Sequence, residues 1–197
     1  KVMSSISALA NAHIKGQFGD CENKDEKNLL KIYEIKNLLI VQIVQYKNSN
    51  FSLDSTNIDS LKLKNEPLSV VNNKDTRILW SGPKNWFVVS SKKELLKKIL
   101  ENLNEKDFAV TDISHSRAVI EIEGNNAIEV LKKGCPYNFN TLNKNNSINS
   151  VFNGIAFSVD MLENEPIRIR LFALRSFGES FYHSISDASL EYGYIGR

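Results

Sequence analysis

The sequence predicts an α+β protein built as two packed α/β halves with mostly antiparallel sheets. Three observations predict it. Apolar, β-branched runs separated by turn residues recur along the chain, most clearly at Arg77–Ser90. Two segments, from Ser91 to Leu103 and from Ser176 to Tyr192, carry helix-period apolar faces and each follows a strand. No low-complexity linker divides the chain, so the halves are expected to pack together. A length of 197 residues, 42% hydrophobic and 24% charged, allows one domain or two small ones with a real core.

Taken in order, residues 1–28 have no sustained period and read as an N-terminal arm, with residues 29–197 as the folded module. Val2, Met3, Ile6, Leu9 and Ile14 are too apolar for a solvated tail, so the arm is expected to order against a partner. Leu29–Tyr46 is too β-branched for a long helix and predicts one or two strands. Asn50 or Ser52 starts a short helix with Phe51, Ile58 and Leu61 inward. Arg77–Trp80, the Ser81-Gly-Pro-Lys-Asn85 turn and Trp86–Ser90 form a hairpin. Ser91-Lys-Lys-Glu94 has the capping-box pattern, and Leu95, Leu96, Ile99, Leu100 and Leu103 make the buried face opposite a solvated face of Lys92, Lys93, Lys97 and Lys98.

Phe108–Ile113 and Ala118–Ile122 read as strands around Ser114-His-Ser-Arg117. Gly124-Asn-Asn126 leads into a short helix bearing Ala127, Ile128, Val130 and Leu131, which Gly134 is placed to close at positive φ. Asn138–Asn149 is a polar loop, followed by strands at Ile148–Phe152, Ile155–Met161 and Ile167–Leu174. Ser176-Phe-Gly-Glu179 repeats the capping pattern before a closing helix with Phe177, Phe181, Ile185, Ala188 and Tyr192 inward.

Composition excludes several function classes. With 25 Lys and Arg against 23 Asp and Glu, the net charge of +2 supplies no field to gather nucleic acid or anionic lipid. The longest apolar run, Leu38–Val41 with Ile43 and Val44, falls far short of the ~18 residues of a membrane span, and no signal-peptide pattern is present near Lys1. Two Cys without metal-ligand spacing fit a reducing, cytoplasmic setting. The abundance of Lys, Asn and Ile reads as base-composition bias, which lowers the value of any Asn-rich stretch as a binding signal.

Candidate chemistry is sparse. Cys135 with His115 as base and Asp112 as orienting group would make a thiol site, but Cys135 sits at a predicted helix C-terminus, where the dipole disfavours a thiolate, so a structural Cys is expected. His13, His115 and His183 lack metal-ligand spacing. Neither a dinucleotide nor a P-loop glycine pattern occurs. Trp80, Trp86, Phe87, Phe177, Phe181 and Tyr182 read as core, and Arg117 and Arg175, each beside a Ser at a strand edge, are candidates to pair with a carboxylate of this chain or of a partner.

Several ordered segments resemble the gamma subunit of heterotetrameric sarcosine oxidase, a relative of the folate-dependent aminomethyltransferase (glycine cleavage T-protein) fold. They are Leu9-Ala10 with Gly16-Gln-Phe-Gly19, Arg77-Ile-Leu-Trp-Ser-Gly-Pro-Lys-Asn-Trp-Phe-Val-Val89, Asp112-Ile-Ser-His-Ser-Arg-Ala-Val-Ile120, Ala127-Ile-Glu-Val-Leu-Lys-Lys-Gly-Cys-Pro136, and Arg175-Ser-Phe177 with the helix to Glu191-Tyr-Gly193. The resemblance implies a fold like the N-terminal part of the T-protein. It further implies a non-catalytic subunit with no catalytic, cofactor-binding or metal residue of its own.

The implied partners are alpha, beta and delta subunits, alpha as the main contact. An alpha subunit would hold NAD and a folate-binding half, a beta subunit FAD, with FMN between them, and a delta subunit zinc. The assembly would oxidise sarcosine to glycine with release of hydrogen peroxide, passing the one-carbon unit to tetrahydrofolate. Two alternatives stand beside it. One is a stand-alone folate-binding aminomethyltransferase or iron-sulfur maintenance protein, although Lys133-Gly-Cys135 continues as Pro136-Tyr-Asn-Phe139 and lacks the Gly and the acidic or amide residue of the latter's motif. The other is a redox enzyme using Cys135.

Overall fold

The computed structural model describes residues 6–22 and 24–197, and the chain divides into two units. The first takes the chain as far as Lys36, then Ser116–Lys144 and Asn149–Arg197, and the second takes Asn37–His115 with Asn145–Ile148. In chain order the elements are β1 (Gly16–Phe18), β2 (Leu30–Glu34), β3 (Leu39–Gln45), β4 (Val70–Asn72), β5 (Thr76–Gly82), β6 (Asn85–Ser90), α1 (Leu95–Asn102) and β7 (Phe108–Asp112). There follow β8 (Arg117–Glu123), α2 (Ala127–Lys132), β9 (Ser147–Phe152), β10 (Ile155–Asn164), β11 (Ile167–Leu174), α3 (Gly178–Ser189) and β12 (Tyr194–Gly196). The Leu29–Tyr46 run is two strands, β2 and β3, parted where Asn37 takes a φ of 61°.

The first unit carries a seven-stranded sheet in the order β1-β12-β2-β8-β11-β10-β9. Its long strands pair antiparallel, and β12 joins β2 in parallel. Register lines up apolar residues in rows: Ile32, Ile122, Ile169 and Met161 stand opposite one another, as do Ile120, Leu171 and Val159. The period of two puts all of them on one face of the sheet. α2 and α3 pack on β11 and on each other, and α3 also packs on β8. Ala127, Val130, Leu131, Phe181 and Ile185 are fully buried, and the rings of Phe152, Phe157 and Phe181 sit 5.4–6.3 Å apart.

Several expectations for this unit are corrected. The stretch read as a partner-dependent arm contributes to the unit: Leu9 and Ala12 are buried, and β1 pairs with β12. Aperiodic residues reach the core here because single side chains fill gaps that no strand or helix pattern announces. Val2 and Met3 lie outside the described residues. Ser176 does not cap α3; Arg175–Phe177 is a 3₁₀ turn that runs into the helix, and Phe177 is 49% exposed. Gly134 follows α2, but its φ is not the expected positive one; a Cβ there would meet Asn153 Oδ1 at 2.7 Å and the Phe152 ring at 2.9 Å, so close approach is what demands glycine. The three-residue strands β1 and β12 are too short to show a period.

Gly193, just before β12, has a φ of 71°, and a Cβ on it would lie 2.3 Å from the Asp20 carbonyl oxygen and 2.8 Å from Leu29 Cδ2. Its own carbonyl accepts from Leu30 N at 3.1 Å.

The second unit is a five-stranded antiparallel sheet in the order β4-β5-β6-β3-β7. The predicted hairpin is β5–β6, turning at Pro83 and Lys84, with Lys84 at a φ of 56°. Leu39, Val41, Ile43, Ile78, Trp86, Val88 and Phe108 form a core with Leu95, Ile99 and Leu103. Trp86 is enclosed because its indole N–H finds the Lys64 carbonyl at 2.7 Å. Trp80 is half-buried against this core and donates to Asn65 Oδ1 at 3.2 Å.

The helix of this unit is shorter than predicted. Ser91 is no cap: its N–H bonds the Asp75 carbonyl, the Ser90 hydroxyl accepts Lys92 N–H, and α1 begins only at Leu95. Leu100 is 55% exposed, since at five residues past Leu95 it points about 140° away from it. The expected helix after Ser52 is one 3₁₀ turn, Leu53–Ser55, followed by an Ile58–Leu61 bridge. Lys92 does not belong to a solvated face, because its ammonium lies 2.9 Å from Asp59 Oδ1 and 3.3 Å from Asp75. No helix among the described residues is long and apolar enough to cross a membrane.

Two predictions follow from these contacts. Gly193→Ala should cost at least ~2 kcal/mol in urea unfolding, from the left-handed backbone together with the clash. Asp59 accepts hydrogen bonds from Thr76 Oγ1, Lys92 and Asn73, which outweigh burial and hold its pKa at about 2, below its ordinary 3.8. A depressed carboxyl pKa stabilises the fold fully above about pH 4 and loses that contribution as pH falls toward 2. Asp59→Asn should therefore flatten the acid limb of the stability curve, read as urea midpoints across that range.

Candidate functional site

The residues singled out in the sequence divide between the units. Cys135 belongs to the first, His115 and Asp112 to the second. Cys135 follows α2, with its N–H bonded to the Leu131 carbonyl at 2.9 Å; it is buried, and its thiol donates to Ser150 Oγ at 3.2 Å. Its bonded neighbours are thus the Leu131 carbonyl and the Ser150 hydroxyl. Asp112 accepts from Ser114 N at 2.9 Å and Ser114 Oγ at 2.5 Å. Burial works against its charge, but these bonds, aided by His115 and Lys93, prevail and hold its carboxyl below the usual range. The Ser114 hydroxyl also takes the Ile40 N–H at 2.9 Å, so the Asp112–Ser114 step fastens the end of β7 to β3.

His13 bridges the two ends of the first unit's chain. Its Nε2 donates to the Arg197 carbonyl at 2.7 Å, which leaves Nδ1 to accept from the Tyr182 hydroxyl at 2.9 Å in the neutral ring. Burial pushes the Tyr182 hydroxyl far up, so it stays a donor. His183 is exposed on α3 and lines a shallow cavity of about 460 Å³ with Ser184, Asp187 and Tyr194. Among the described residues no group of three or more His, Cys, Asp or Glu is placed to hold a metal. Phe87, Phe181 and Tyr182 are buried as expected of core aromatics.

The strongest electrostatic feature escaped the sequence reading. Glu121 on β8, 1% exposed, receives Arg168 through Nε at 2.8 Å and Nη2 at 2.6 Å, and Arg170 through Nε at 2.7 Å and Nη2 at 2.6 Å. Register extends the row: Tyr33 and Arg170 stand opposite Glu121, and Asp160 stands opposite Arg170. A second row holds Lys31, Glu123, Arg168 and Glu163, with Lys31 and Glu123 2.8 Å apart. The signal was present as Ile120-Glu-Ile-Glu123 and Arg168-Ile-Arg170, alternations whose charged members share a face of the sheet.

Chemically this is a cross-link. Each Glu121 oxygen is held by one guanidinium fork, through Nε and Nη2 of the same arginine. Glu121→Ala should cost ~3 kcal/mol, mainly by leaving the partly buried Arg170 guanidinium without its anion, whereas exchanging Glu121 and both arginines together for apolar residues of similar volume should cost far less. Chemical unfolding of the two variants checks this.

With this geometry in view, the comparisons with known proteins are specific. No curated protein matches the chain. Among solved structures the chain is similar to the heterotetrameric sarcosine oxidase from Corynebacterium sp. U-96 in complex with pyrrole 2-carboxylate. The likeness has a TM-score of 0.77 at 20% identity and covers 95% of this chain and 96% of that one. It is also similar to the glycine cleavage system aminomethyltransferase T from Bartonella henselae, with a TM-score of 0.59 at 10% identity, covering 87% of this chain and 49% of that one. At these identities both show a shared fold. The family description "Sarcosine oxidase, gamma subunit family" matches residues 50–191, well over half of the sequence and spanning both units, and the chain therefore belongs to the sarcosine oxidase gamma subunit family.

Proposed function

We propose that this chain is the non-catalytic gamma subunit of a heterotetrameric sarcosine oxidase. The observation that carries the reading is the family match over residues 50–191, supported by the fold shared along nearly the whole length of a chain of such an enzyme. In this reading the chain works in assembly. Sarcosine would be oxidised to glycine, with oxygen reduced to hydrogen peroxide and the one-carbon unit passed to tetrahydrofolate, on FAD, FMN, NAD, zinc and folate sites carried by alpha, beta and delta subunits. The alpha subunit would be the main neighbour, and the setting cytoplasmic.

The local chemistry supports a supporting role. Cys135 is bonded to Ser150, His13 to Tyr182 and the chain end, and Glu121 to two arginines. The second reading, a stand-alone folate-binding protein, draws on the likeness to aminomethyltransferase T, of which this chain spans about half the length.

Co-expression of the four subunits tests the first reading. The complex with this chain should release hydrogen peroxide from sarcosine, and the complex without it should assemble poorly. Tight folate binding by the dialysed chain alone would favour the second reading instead. Cys135→Ser or Cys135→Ala should leave turnover of the reconstituted complex within about three-fold of the parent, because a buried thiol with a hydroxyl neighbour has no part in the reaction. A loss of several orders of magnitude with normal assembly would make Cys135 a participant.

A further inference from the structure

The five-stranded sheet of the second unit has two edges, and the described chain closes one of them. At β4 the segment after Lys144 lies alongside: the Asn145 carbonyl accepts from Val70 N at 3.1 Å, Ser147 N–H reaches the Leu68 carbonyl at 2.8 Å, and Ser69 bridges to Asn146. At β7 no further strand follows. Tyr46 N–H bonds the Asp107 carbonyl and Ile113 N–H the Ile40 carbonyl, each at 2.9 Å, so Ala109 and Thr111 between them turn their backbone groups to β3. Phe108, Val110 and Asp112 turn theirs outward. Of these outward groups the Phe108 N–H alone is met among the described residues, by the Asn104 carbonyl at 3.0 Å.

The open edge lacks the devices that blunt solitary edge strands. β7 contains no proline, its register with β3 runs without a bulge, and Asp112 is its one charged residue. Beside it lies a cavity of about 850 Å³ lined by Tyr46, Leu100, Leu103, Phe108 and Val110, with Leu100 55% and Tyr46 44% exposed. Both signs of charge flank the strand. Glu105 and Lys106 precede it, exposed and with no side-chain bond among the described residues. Asp112 ends it and His115 follows, with Lys93 near enough to favour the Asp112 charge. Glu101, also at the cavity, is 3.8 Å from Lys97.

We infer that the β7 edge pairs antiparallel with the β7 edge of a second copy of this chain, joining their two sheets into one across a two-fold axis. With Val110 opposite Val110 of the second copy, the whole of Phe108–Asp112 overlaps. Each Val110 then exchanges its N–H and carbonyl with the other, and each Asp112 N–H meets the other copy's Phe108 carbonyl. On the face that carries α1, the Ile43–Val110 row continues into the same two residues of the second copy, and Asp112 faces Phe108, not a like charge. The axis stands normal to the sheet and keeps both α1 helices on that face, so each Leu100 comes over the shared ladder and leaves water. Charge complementarity selects this occupant: the turn bearing Glu105 and Lys106 abuts the second copy's strand end, which sets Lys106 toward Asp112 and Glu105 toward His115 and Lys93. An unrelated extended segment would meet the backbone groups alone. The inference goes beyond the subunit reading above and does not depend on it.

Sedimentation equilibrium of the full chain tests this, with a monomer–dimer equilibrium expected in the range of ~1–300 μM. Val110→Pro removes an N–H that β3 does not use, at a place where an edge strand tolerates proline, and should raise the dimer Kd by at least ~10-fold. Leu100→Asp, on the exposed side of α1, should raise it by ~10-fold as well, by setting a carboxylate against its twin. Phe177→Ser, at an exposed residue of the other unit, should leave it unchanged. Amide exchange supplies a second readout: protection of Val110 and Asp112 should rise with chain concentration, while that of Ala109 and Thr111, already bonded to β3, should not. If Val110→Pro fails to fold, Leu100→Asp and the exchange data decide. A chain that stays monomeric throughout this range, or a dimer that both variants leave intact, overturns the inference. A monomeric chain whose Val110 amide gains protection only with the other subunits present assigns the edge to one of them, which overturns the second copy as occupant and leaves the subunit reading standing.

Discussion

A carboxylate at 1% exposure in the middle of a sheet, Glu121, sets terms for the whole first unit. Removing a carboxylate from water is costly, and the cost is offset only if its lone pairs are all met by well-placed donors. Arg168 and Arg170 meet them because β8 and β11 run antiparallel with Arg170 opposite Glu121 and Arg168 opposite Glu123. A slip of one residue would turn Glu121 toward the face occupied by Ile120 and Ile122 and strand both guanidiniums. The apolar rows forbid that slip as well; a slip of two residues would keep them on their face but put Arg168 or Phe172 opposite Glu121 in place of Arg170, so the ion pair is what discriminates between those registers.

That register reaches well beyond the pair. It aligns the Ile32, Ile122, Ile169 and Met161 row under α2 and α3, and it brings Arg117 level with Leu174 at the ladder's end. The closing of the sheet at β12 and β1 relies on a different constraint, close backbone approach. A Cβ on Gly196 would sit 2.1 Å from the Ile14 carbonyl oxygen, and one on Gly19 2.2 Å from that of Leu190. The segments around Gly19 and Gly196 are therefore seated through positions that admit no side chain.

Asparagine illustrates how composition and structure coexist. Its abundance reads as base-composition bias, yet Asn37, Asn145 and Asn153 occupy the left-handed region, which asparagine tolerates better than most residues. Asn65 accepts from both the Trp80 indole and the Lys84 backbone N–H, pinning the hairpin turn. These asparagines have specific local uses, which inspection of the composition could not reveal.

By itself the sequence determined the elements with a strong local signal. The β5–β6 hairpin, the buried stripe of Leu95, Ile99 and Leu103, the β10 and β11 strands and the core aromatics Trp86, Phe181 and Tyr182 all follow from period and turn chemistry, which are properties of neighbouring residues. The family was legible as well, because short ordered segments persist where single motifs are weak. Tertiary structure alone decided the rest. The start of α1 moved because Ser90 and Asp75, not Ser91, satisfied the backbone N–H groups there. β1 and β12 exist only as partners to β2 and to each other. The Glu121 pairing and the placement of Arg117 opposite Leu174 depend on residues ~50–60 apart in the chain being set side by side by strand register, and no window along the sequence contains that relation.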